Sequence, residues 1–503
     1  MIRNFIFLVL CALGVAAMGQ GRVPVTYGQA AQKFPAHQAE QTMFLGEYGI
    51  YQCLVIPQVS ARGKMGDIQV ALTDGDLRVH RRIAISNTKN MRLLSARLND
   101  GIVSLLFIDE SNRKHASIWS ALVNLDMMQL VSSSDLNHPL PTGLTEVYRN
   151  DVNRKDKLYA WGASSENGAY AGLVLVSENE DKGEYTAVEV CFDGLMNRVW
   201  EHNSALGTIS TIAVTNEGDI YTFGHDVAED GSTQFTVCEI TSAGASKYLF
   251  SGRMDQVIRA EILNVEGDRV VAGGIMRSEH SPRKSDWCSG VFGLAFDKRT
   301  KALAGNIGMR PFQNEDVCMM TNKSTKKNLK QDYIKEEVET LGYVPTAWGG
   351  AMAIGATETR NSVDADGIAT ESKYCIGIHV FGVDTTGAIL WARNIRRNDY
   401  QMLDDVYLDA LLLSSGDDVA LLKCENMKYP SDYNITKPAK KMRIGEKNNL
   451  VFYRITSSGD VNKIVLATKQ KQMLVGRPYP KADGAWWFLA NWDEQTRIGD
   501  IRF

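Results

Sequence analysis

The sequence predicts an all-β fold, a single β-propeller of four-stranded antiparallel blades. The first observation is a motif that recurs along the chain, in which a strand-like run, a glycine-containing turn and a second strand-like run follow one another. The second is that the clear copies of this motif are followed by another pair of strand-like runs. Two hairpins per repeat make a four-stranded antiparallel sheet, and such sheets arranged radially are propeller blades.

The recurring motif is clearest in IAVTNEGDIYTFG at residues 212–224, EILNVEGDRVVAGG at residues 261–274 and LLLSSGDDVALL at residues 411–422. Together with weaker copies, it predicts hairpin turns near positions 49, 101, 156, 218, 267, 350, 416 and 484. Repetition at a roughly regular period is the signature of a repeat architecture. The turns predict eight blades, or seven if the weak first copy is not a complete blade.

The second hairpin of the repeat resembles that of a known family. In one copy, TQFTVCEI at residues 233–240 is followed by a turn and by SKYLFSG at residues 246–252. In another, VDTTGAILWA contains Asp384, Gly387 and Trp391. These repeats resemble those of the SBBP-type β-propellers of secreted bacterial proteins, clearly at residues 212–252 and 261–306 and weakly before Asp156. The resemblance implies a fold and an exported setting, but no activity.

The first 19 residues are typical of a secretory signal peptide. They read MIRNFIFLVLCALGVAAMG, with one early positive charge, an apolar run too short to span a bilayer, and small residues before Gln20. We expect a signal peptide at residues 1–19, an N-terminal segment at 20–41 and the propeller at 42–503. No later run is apolar enough to predict a transmembrane segment in the mature chain, so we expect a periplasmic, cell-surface or extracellular protein.

The two ends of the chain predict how the ring closes. The last strand-like runs, GAWWFLANW and RIGDIRF, supply middle strands of a final blade, and no outer strand follows them. RVPVTYG at residues 22–28 is the available candidate for that strand. A propeller can close by taking the outer strand of its last blade from the N-terminal segment, so we expect this closure here.

Composition excludes some functions. The formal charge of −4 over 503 residues gives no sign of the clustered basic surface that nucleic acids require, and no motif indicates a cofactor. Apart from Cys11 in the apolar run of the signal peptide, seven cysteines remain, without paired metal-ligand spacing. Most are expected to be small buried residues on strands. Cys288 and Cys318 flank loop regions and are candidates for a disulfide.

Long insertions indicate where a binding site lies. They occupy residues 308–344 and 425–449, with a third at 357–373, and propeller topology predicts that all three leave from one face. Within the first, residues 324–341 have helical spacing, which predicts a surface helix. Loops longer than about 12–15 residues are usually functional or disordered. Polar residues expected on the same face form the candidate binding set: Glu166, His225, Asp226, Glu279, His280, Glu358, Lys440, Lys441 and Arg443.

Two functions compete. The first is an exported, non-catalytic propeller, a binding or scaffold protein of the cell envelope that engages a protein or glycan partner through its loop-rich face, and the lack of any catalytic motif favours it. The second is a carbohydrate-active hydrolase or lyase with a site at the central channel. It requires Glu166, Asp226, Glu279 and Glu358 to converge. The alternative for this set is that its members are polar only because they are solvated loop ends.

Overall fold

The computed structural model describes most of the chain after the N-terminal segment. The described residues are 23, 25–27, 42–59, 65–86, 91–109, 117–135, 157–179, 184–204, 208–227, 233–251, 257–277, 287–325, 331–363, 369–401, 410–428, 438–439, 442, 446–481, 483–492 and 495–503. The predicted signal peptide lies outside them.

The described residues form eight antiparallel sheets, which are the blades of a β-propeller. Alternating β-branched and aromatic residues make these strands, because such side chains pack well on both faces of a sheet stacked between two others. In chain order, with blades one to seven given first, the strands are β2 Met43–Tyr48, β3 Tyr51–Val59, β4 Met65–Thr73 and β5 Val79–Ile85; β6 Arg92–Asn99, β7 Ile102–Asp109, β8 Ser117–Asn124 and β9 Gln129–Asp135; β10 Lys157–Ser164, β11 Tyr170–Asn179, β12 Glu184–Asp193 and β13 Arg198–Ser204; β14 Thr208–Val214, β15 Ile220–Val227, β16 Thr233–Thr241 and β17 Gly244–Ser251; β18 Val257–Glu266, β19 Arg269–Arg277, β20 Cys288–Asp297, β21 Ala302–Leu303 and β22 Gly308–Pro311; β23 Glu337–Thr346, β24 Gly349–Val363, β25 Ala369–Asp384 and β26 Ile389–Gln401; β27 Ala410–Ser415, β28 Asp418–Asn426, β29 Asn448–Ile455 and β30 Val461–Gln470. Blade eight contains β31 Gln472–Pro480, β32 Trp486–Trp492, β33 Gln495–Ile501 and β1 Val25–Tyr27.

The blades close into a ring. The first strand of every blade contacts the first strands of both neighbouring blades, and the last of these contacts joins β31 of blade eight to β2 of blade one. In blade five the fourth strand is divided, because β21 and β22 both pair with β20. The prediction of a single all-β propeller with eight blades is confirmed. The seven-blade alternative is wrong, because the weak first copy is the complete blade β2 to β5.

The N-terminal segment supplies the strand that closes the ring. Val25 pairs with Ile501 and Tyr27 pairs with Gly499, so β1 is the outermost strand of blade eight. The Tyr27 ring meets the edge of the Phe488 ring at a centroid distance of 5.9 Å, and its hydroxyl donates to Gln472 Oε1 over 3.1 Å. The predicted closing strand at residues 22–28 is therefore confirmed over β1.

The apolar core lies between the blades. One cluster joins Ile378 of blade six, Phe452 of blade seven and Phe488 of blade eight, all fully buried. Another joins Phe235 of blade four to Phe292 of blade five, whose rings stack 5.1 Å apart. Each blade therefore buries both of its faces, which explains why its inner strands are apolar almost throughout.

One predicted turn is in the wrong place. The turn near position 156 falls in the connection between blades two and three, and residue 156 lies outside the described residues. The first hairpin of blade three turns instead at residues 165–169, where Gly168 has a φ of +70°. The predicted turn would make β10, Lys157–Ser164, the second strand of this blade, but it is the first.

Candidate functional site

The ring has two different ends because the strands of each blade alternate in direction. We call the end with the tight turns, between strands one and two and between strands three and four, the turn face. The other end, which we call the loop face, receives the connections between strands two and three and between successive blades. The insertions at 308–344, 357–373 and 425–449 all belong to connections of the loop face, in agreement with the expected topology.

Glu166 lies on the wrong face for the predicted site. It is exposed in the turn between β10 and β11, on the turn face. The error follows from the displaced turn, because Glu166 follows the first strand of its blade rather than the second. A strand of eight residues separates the two faces by about 25 Å. Glu166 therefore cannot converge with carboxylates at the loop face, and the site required for a carbohydrate-active enzyme loses one of its four members.

The remaining candidates divide into described and undescribed residues. His225 and Asp226 lie at the loop-face end of β15, opposite Phe235 and Gln234 in the register with β16. Glu358 is half-buried within β24, where it pairs with Tyr374, and is not at a loop end. The other candidates lie outside the described residues: Glu279, His280, Lys440, Lys441 and Arg443.

The helix of the first insertion is earlier in the chain than predicted. Helix α1 spans Asn314–Met320, and the Asp316 carboxylate accepts the backbone N–H of Gln313 at its start over 2.9 Å. Within residues 324–341, the described part is not helical. Ile334 forms a β-bridge to Cys288, and β23 begins at Glu337. Hydrophobic periodicity did not predict α1 because consecutive residues of this helix are buried, which leaves no polar stripe. It predicted a helix at Ile334 because this residue is apolar, but Ile334 is buried against a strand.

A buried chain of hydrogen bonds holds α1 on blade six. Asn394 of β26 donates through Nδ2 to Asp316 Oδ1, and His379 of β25 donates through Nδ1 to Asn394 Oδ1 over 2.7 Å. Arg310 lies 3.8 Å from the second oxygen of Asp316. Burial lowers the pKa of His379, which keeps this imidazole neutral. The carboxylate of Asp316 is thus used to anchor the helix.

The first and second insertions are joined to each other. Ala439 donates its N–H to Asn322 Oδ1 over 2.7 Å, and Asn322 Nδ2 donates back to the Ala439 carbonyl over 3.1 Å. Asn398 of β26 also donates to that carbonyl over 3.2 Å, and its own carbonyl accepts the N–H of the buried Met442 over 2.9 Å. We call this set of four hydrogen bonds the Asn322 lock. It fixes parts of two insertions to blade six at the loop face.

Arg396 extends the same attachment. Its guanidinium is almost fully buried and donates to the carbonyls of Lys323, over 2.6 Å, and Cys318, over 3.3 Å, at the C-terminal end of α1. The carbonyl of Arg396 accepts a hydrogen bond from the Lys423 ammonium of blade seven over 3.1 Å. Blade six therefore connects α1 to blade seven through a single residue.

A buried ionic cluster lies at the base of the second insertion. Glu425 is within 3.3 Å of the Lys423 ammonium and 2.7 Å of the Lys463 ammonium, and it accepts the Tyr453 hydroxyl. Each of these ionic side chains is at most 4% exposed. Burial by itself would raise the pKa of Glu425, but the two ammonium groups outweigh burial and hold it below its usual range.

Sequence reasoning did not single out these residues. A usable signal existed in ALLKCEN, where Lys423 and Glu425 stand two positions apart inside an apolar strand and so share one buried face. Asn322, Asn394 and Asn398 had no such signal, because their partners are distant in the chain.

The two candidate disulfide cysteines are both buried as thiols, Cys288 on β20 and Cys318 on α1. The pairing considered from the sequence is therefore not formed. The backbone of Cys288 exchanges hydrogen bonds with Ile334 over 2.9 and 2.7 Å, which attaches residues 331–336 to blade five without a covalent bond.

These buried contacts can position the surface insertions, but the carboxylates of Asp316 and Glu425 already accept hydrogen bonds or ion pairs. Asp316 and Glu425 are each held by buried donors, so neither is poised to exchange a proton with a substrate. Within the described residues, no group of three or more His, Cys, Asp or Glu side chains is placed to hold a metal ion. The part of the chain that the structure describes also contains no helix long and apolar enough to cross a membrane.

Comparisons with known proteins give only distant structural similarities. No protein-family model matches the chain, and no curated protein matches it either. Among solved structures, the Dos1 propeller is 6% identical, with a TM-score of 0.36 and 94% of each chain covered. The polysaccharide lyase Uly1 is 10% identical, with a TM-score of 0.34 and coverage of 92% of this chain and 99% of its own. The β-propeller domain of the Trilobed protease from Pyrococcus furiosus is 10% identical, with a TM-score of 0.27 and coverage of 69% and 93%. At such identities and TM-scores no function follows from these similarities.

Proposed function

We propose that the protein is an exported, non-catalytic β-propeller that binds a protein or glycan partner through its loop face. The observation that carries the proposal is the Asn322 lock, because it holds segments of two insertions, from different parts of the chain, as one surface. Binding to a surface that is already ordered loses less conformational entropy than binding to separate loops. A solvated loop end needs no such attachment.

Charge in the second insertion supports a partner with an acidic surface. Residues 425–449 contain six basic side chains and three acidic ones, and Glu425 is already paired within the buried cluster. Lys440 and Lys441 stand between Ala439 and Met442 in the sequence, and Arg443 follows directly. We retain these three as binding residues because their neighbours in sequence are the anchored residues of the lock. Clustered positive charge favours and steers association with an acidic partner.

The setting at the cell envelope is part of the proposal. It is supported by the signal-peptide pattern of residues 1–19 and by the resemblance to SBBP-type propellers. Of the residues that carry that resemblance, Asp384 accepts the N–H groups of Thr386 and Ala388 over 2.8 and 2.9 Å, and Gly387 has a φ of +92°. These residues build the turn between strands three and four, so they account for a repeated structural element and leave the activity open.

The test is affinity capture from envelope extracts with the exported chain and a variant in which residues 428–446 are replaced by a short Gly/Ser link. This replacement keeps the Glu425 cluster and also Asn448, whose Nδ2 donates to the Gln472 carbonyl over 2.6 Å. A second variant, Lys440→Glu with Lys441→Glu and Arg443→Glu, reverses charge without shortening the chain. Glu166→Ala and Glu217→Ala, at exposed positions of the turn face, are the matched controls.

We expect a specific partner that binds the wild type and both controls and is lost from the shortened and charge-reversed variants. A partner that the shortened variant retains would place binding elsewhere on the ring. Failure of the wild-type chain to capture any specific protein, together with no binding on an array of acidic glycans, would contradict the proposal.

A further inference from the structure

Exposed apolar side chains are concentrated on one part of the turn face. Half of the large apolar side chains that are exposed among the described residues lie on turns of blades one to three or at the turn-face ends of β9 and β13. We call this group the Ile50 patch. Single exposed apolar residues are ordinary, whereas a group of them rimmed by polar residues marks an interaction surface. The members of the patch are Ile50, Met127, Leu130, Val131, Leu195 and Val199.

The turn of blade one does not require an apolar residue at position 50. Ile50 follows Gly49, which has a φ of +62°, in a two-residue hairpin turn, and its side chain is 85% exposed. Blade seven has the same turn, in which Asp417 follows Gly416 with a φ of +59°. An exposed isoleucine therefore occupies a position where another blade has a carboxylate.

The same comparison applies to the turns of blades two and three. The side chains of Met127 and Leu195 are 58% and 56% exposed. In both turns, the first residue accepts the N–H of this apolar residue through Oδ1 over 2.9 Å. The corresponding N–H groups in blades five and six belong to Thr300 and Thr386 and make the same hydrogen bond over 2.9 and 2.8 Å. Neither burial nor turn geometry thus explains the apolar side chains at these positions.

Contacts between blades join these turns into one surface. The Tyr48 hydroxyl of blade one donates to the Asp126 carboxylate of blade two. The Tyr48 ring also lies against Gly101, and Asn99 of the same turn lies against Gly194 of blade three. Tyr48, Asp126 and Gly194 are one or two positions away from the three apolar turn residues. The apolar turns therefore belong to a continuous part of the turn face.

The same turns are acidic. They are residues 47–51, 99–102, 124–128 and 193–197, which contain four carboxylates, those of Glu47, Asp100, Asp126 and Asp193, and no lysine or arginine. Arg81 of β5 reaches this region, but its guanidinium donates to the Asp126 carbonyl over 2.7 Å. An anionic lipid surface attracts basic rather than acidic segments. A second copy docked face to face would oppose carboxylates to carboxylates, so the charge favours a basic partner over both.

We propose that the Ile50 patch binds a basic segment of a partner protein, in which lysine or arginine side chains flank large apolar ones. The apolar side chains of the segment cover Ile50, Met127 and Leu195, and burial of this surface favours binding. The cations of the segment meet the surrounding carboxylates, which gives orientation and specificity. The inference does not rest on the proposed function, because the patch lies on the face opposite to the insertions and has the opposite charge.

The experiment is selection of peptides from a phage-displayed random library on the exported chain. The test variant is Ile50→Asn with Met127→Thr and Leu195→Thr. The two threonines, and the neutral counterpart of the aspartate, match the residues of the equivalent turns in other blades, so thermal unfolding should match the wild type. We expect the enriched peptides to combine lysine or arginine with large apolar residues. Fluorescence anisotropy should show that they bind the test variant at least about tenfold more weakly than the wild type.

A pair of carboxylate variants tests the role of charge. Glu47→Gln with Asp100→Asn removes two exposed charges beside the patch, which should weaken binding of the selected peptides and reduce its salt dependence. Asp268→Asn with Asp417→Asn removes two exposed charges from turns of blades five and seven, and it should bind as the wild type does. The shortened variant of residues 428–446 should also bind as the wild type does, so failure of this inference and failure of the proposed function are distinguishable.

Four results would overturn the inference. The first is a selection that enriches no peptide whose binding depends on the patch. The second is enrichment of patch-dependent peptides that lack lysine and arginine. The third is a wild-type dimer, detected by light scattering, that the test variant converts into a monomer, because the occupant would then be a second copy. The fourth is co-sedimentation of the wild type, but not of the test variant, with phosphatidylglycerol vesicles, because the occupant would then be a lipid surface.

Discussion

Asn322 and Ala439, which are 117 positions apart in the chain, exchange two hydrogen bonds of 2.7 and 3.1 Å on the loop face. Asn322 follows α1, the only helix among the described residues. Ala439 belongs to the insertion of blade seven. The relationship joins the two longest insertions that the sequence predicts. Segments of the two insertions are therefore held together as one surface on the loop face.

Removal of the Asn322 side chain should loosen this surface without unfolding the ring. Asn322→Ala deletes both hydrogen bonds to Ala439 and is expected to cost about 1–2 kcal/mol in the free energy of unfolding. Hydrogen exchange at the Ala439 and Met442 amides should become faster. The matched control is Lys323→Ala, because the side chain of Lys323 is exposed and its carbonyl, which Arg396 uses, is retained. Equal exchange rates in both variants would show that the lock does not order the insertion.

Stability should fall as pH rises through neutrality because of Glu189. This residue of β12 is fully buried and accepts the Ser204 hydroxyl, and burial raises its pKa to about 7 from an ordinary value of 4.5. A carboxyl with a raised pKa stabilises the folded chain fully below pH 4.5 and loses that contribution as pH rises through 7. Glu189→Gln should therefore be more stable than the wild type by about 3 kcal/mol at pH 8, and within about 1 kcal/mol of it at pH 5.

Urea unfolding of Glu189→Gln at the two pH values measures this effect. The control is Glu217→Gln, an exposed carboxyl of the turn face, which should follow the wild type at both pH values. The same pH dependence in Glu189→Gln as in the wild type would contradict the assignment to Glu189.

A conservative substitution of Glu425 should lower the free energy of unfolding strongly. Glu425→Gln leaves the buried Lys423 and Lys463 without their carboxylate, and removing one partner of a buried ion pair costs about 3–5 kcal/mol. Because the pKa of Glu425 is lowered, its contribution is present above pH 4.5 and is lost as pH falls through the lowered value. Chemical denaturation at pH 7 should show the loss. Glu446→Gln, at an exposed position of the same insertion, should change stability little.

Closure of the ring depends on a strand of three residues. Tyr27→Ala removes the contact with Phe488 and the hydrogen bond to the buried Gln472, for an expected loss of about 2–3 kcal/mol. Thr26→Ala is the control, because Thr26 lies on the same strand and is exposed. Thermal unfolding compares the two variants. If Tyr27→Ala unfolds at the wild-type temperature, β1 does not stabilise the closed ring.

The blades could be predicted because their signals are local. A tight hairpin turn needs a residue with positive φ, such as Gly218 with a φ of +88°, and this need is set by the few residues of the turn itself. The first hairpin turn of blade three has the same local signal in Asn167-Gly168. The helix at Asn314–Met320 could not be predicted from periodicity, because a buried helix under an insertion has no polar stripe to give it a period.

By itself, the sequence determined the fold class, the strand that closes the ring and the face from which the insertions leave, whereas the structure decided between eight blades and seven. The first three follow from alternation, turn residues and chain order, which are written in short stretches of the chain. Only the tertiary structure decided that Glu166 lies on the opposite face, that Asn322 meets Ala439, and that Glu425 is held between two buried lysines. Each of these depends on residues brought together by the closure of blades into a ring, and pairing across such distances leaves no pattern in either segment alone.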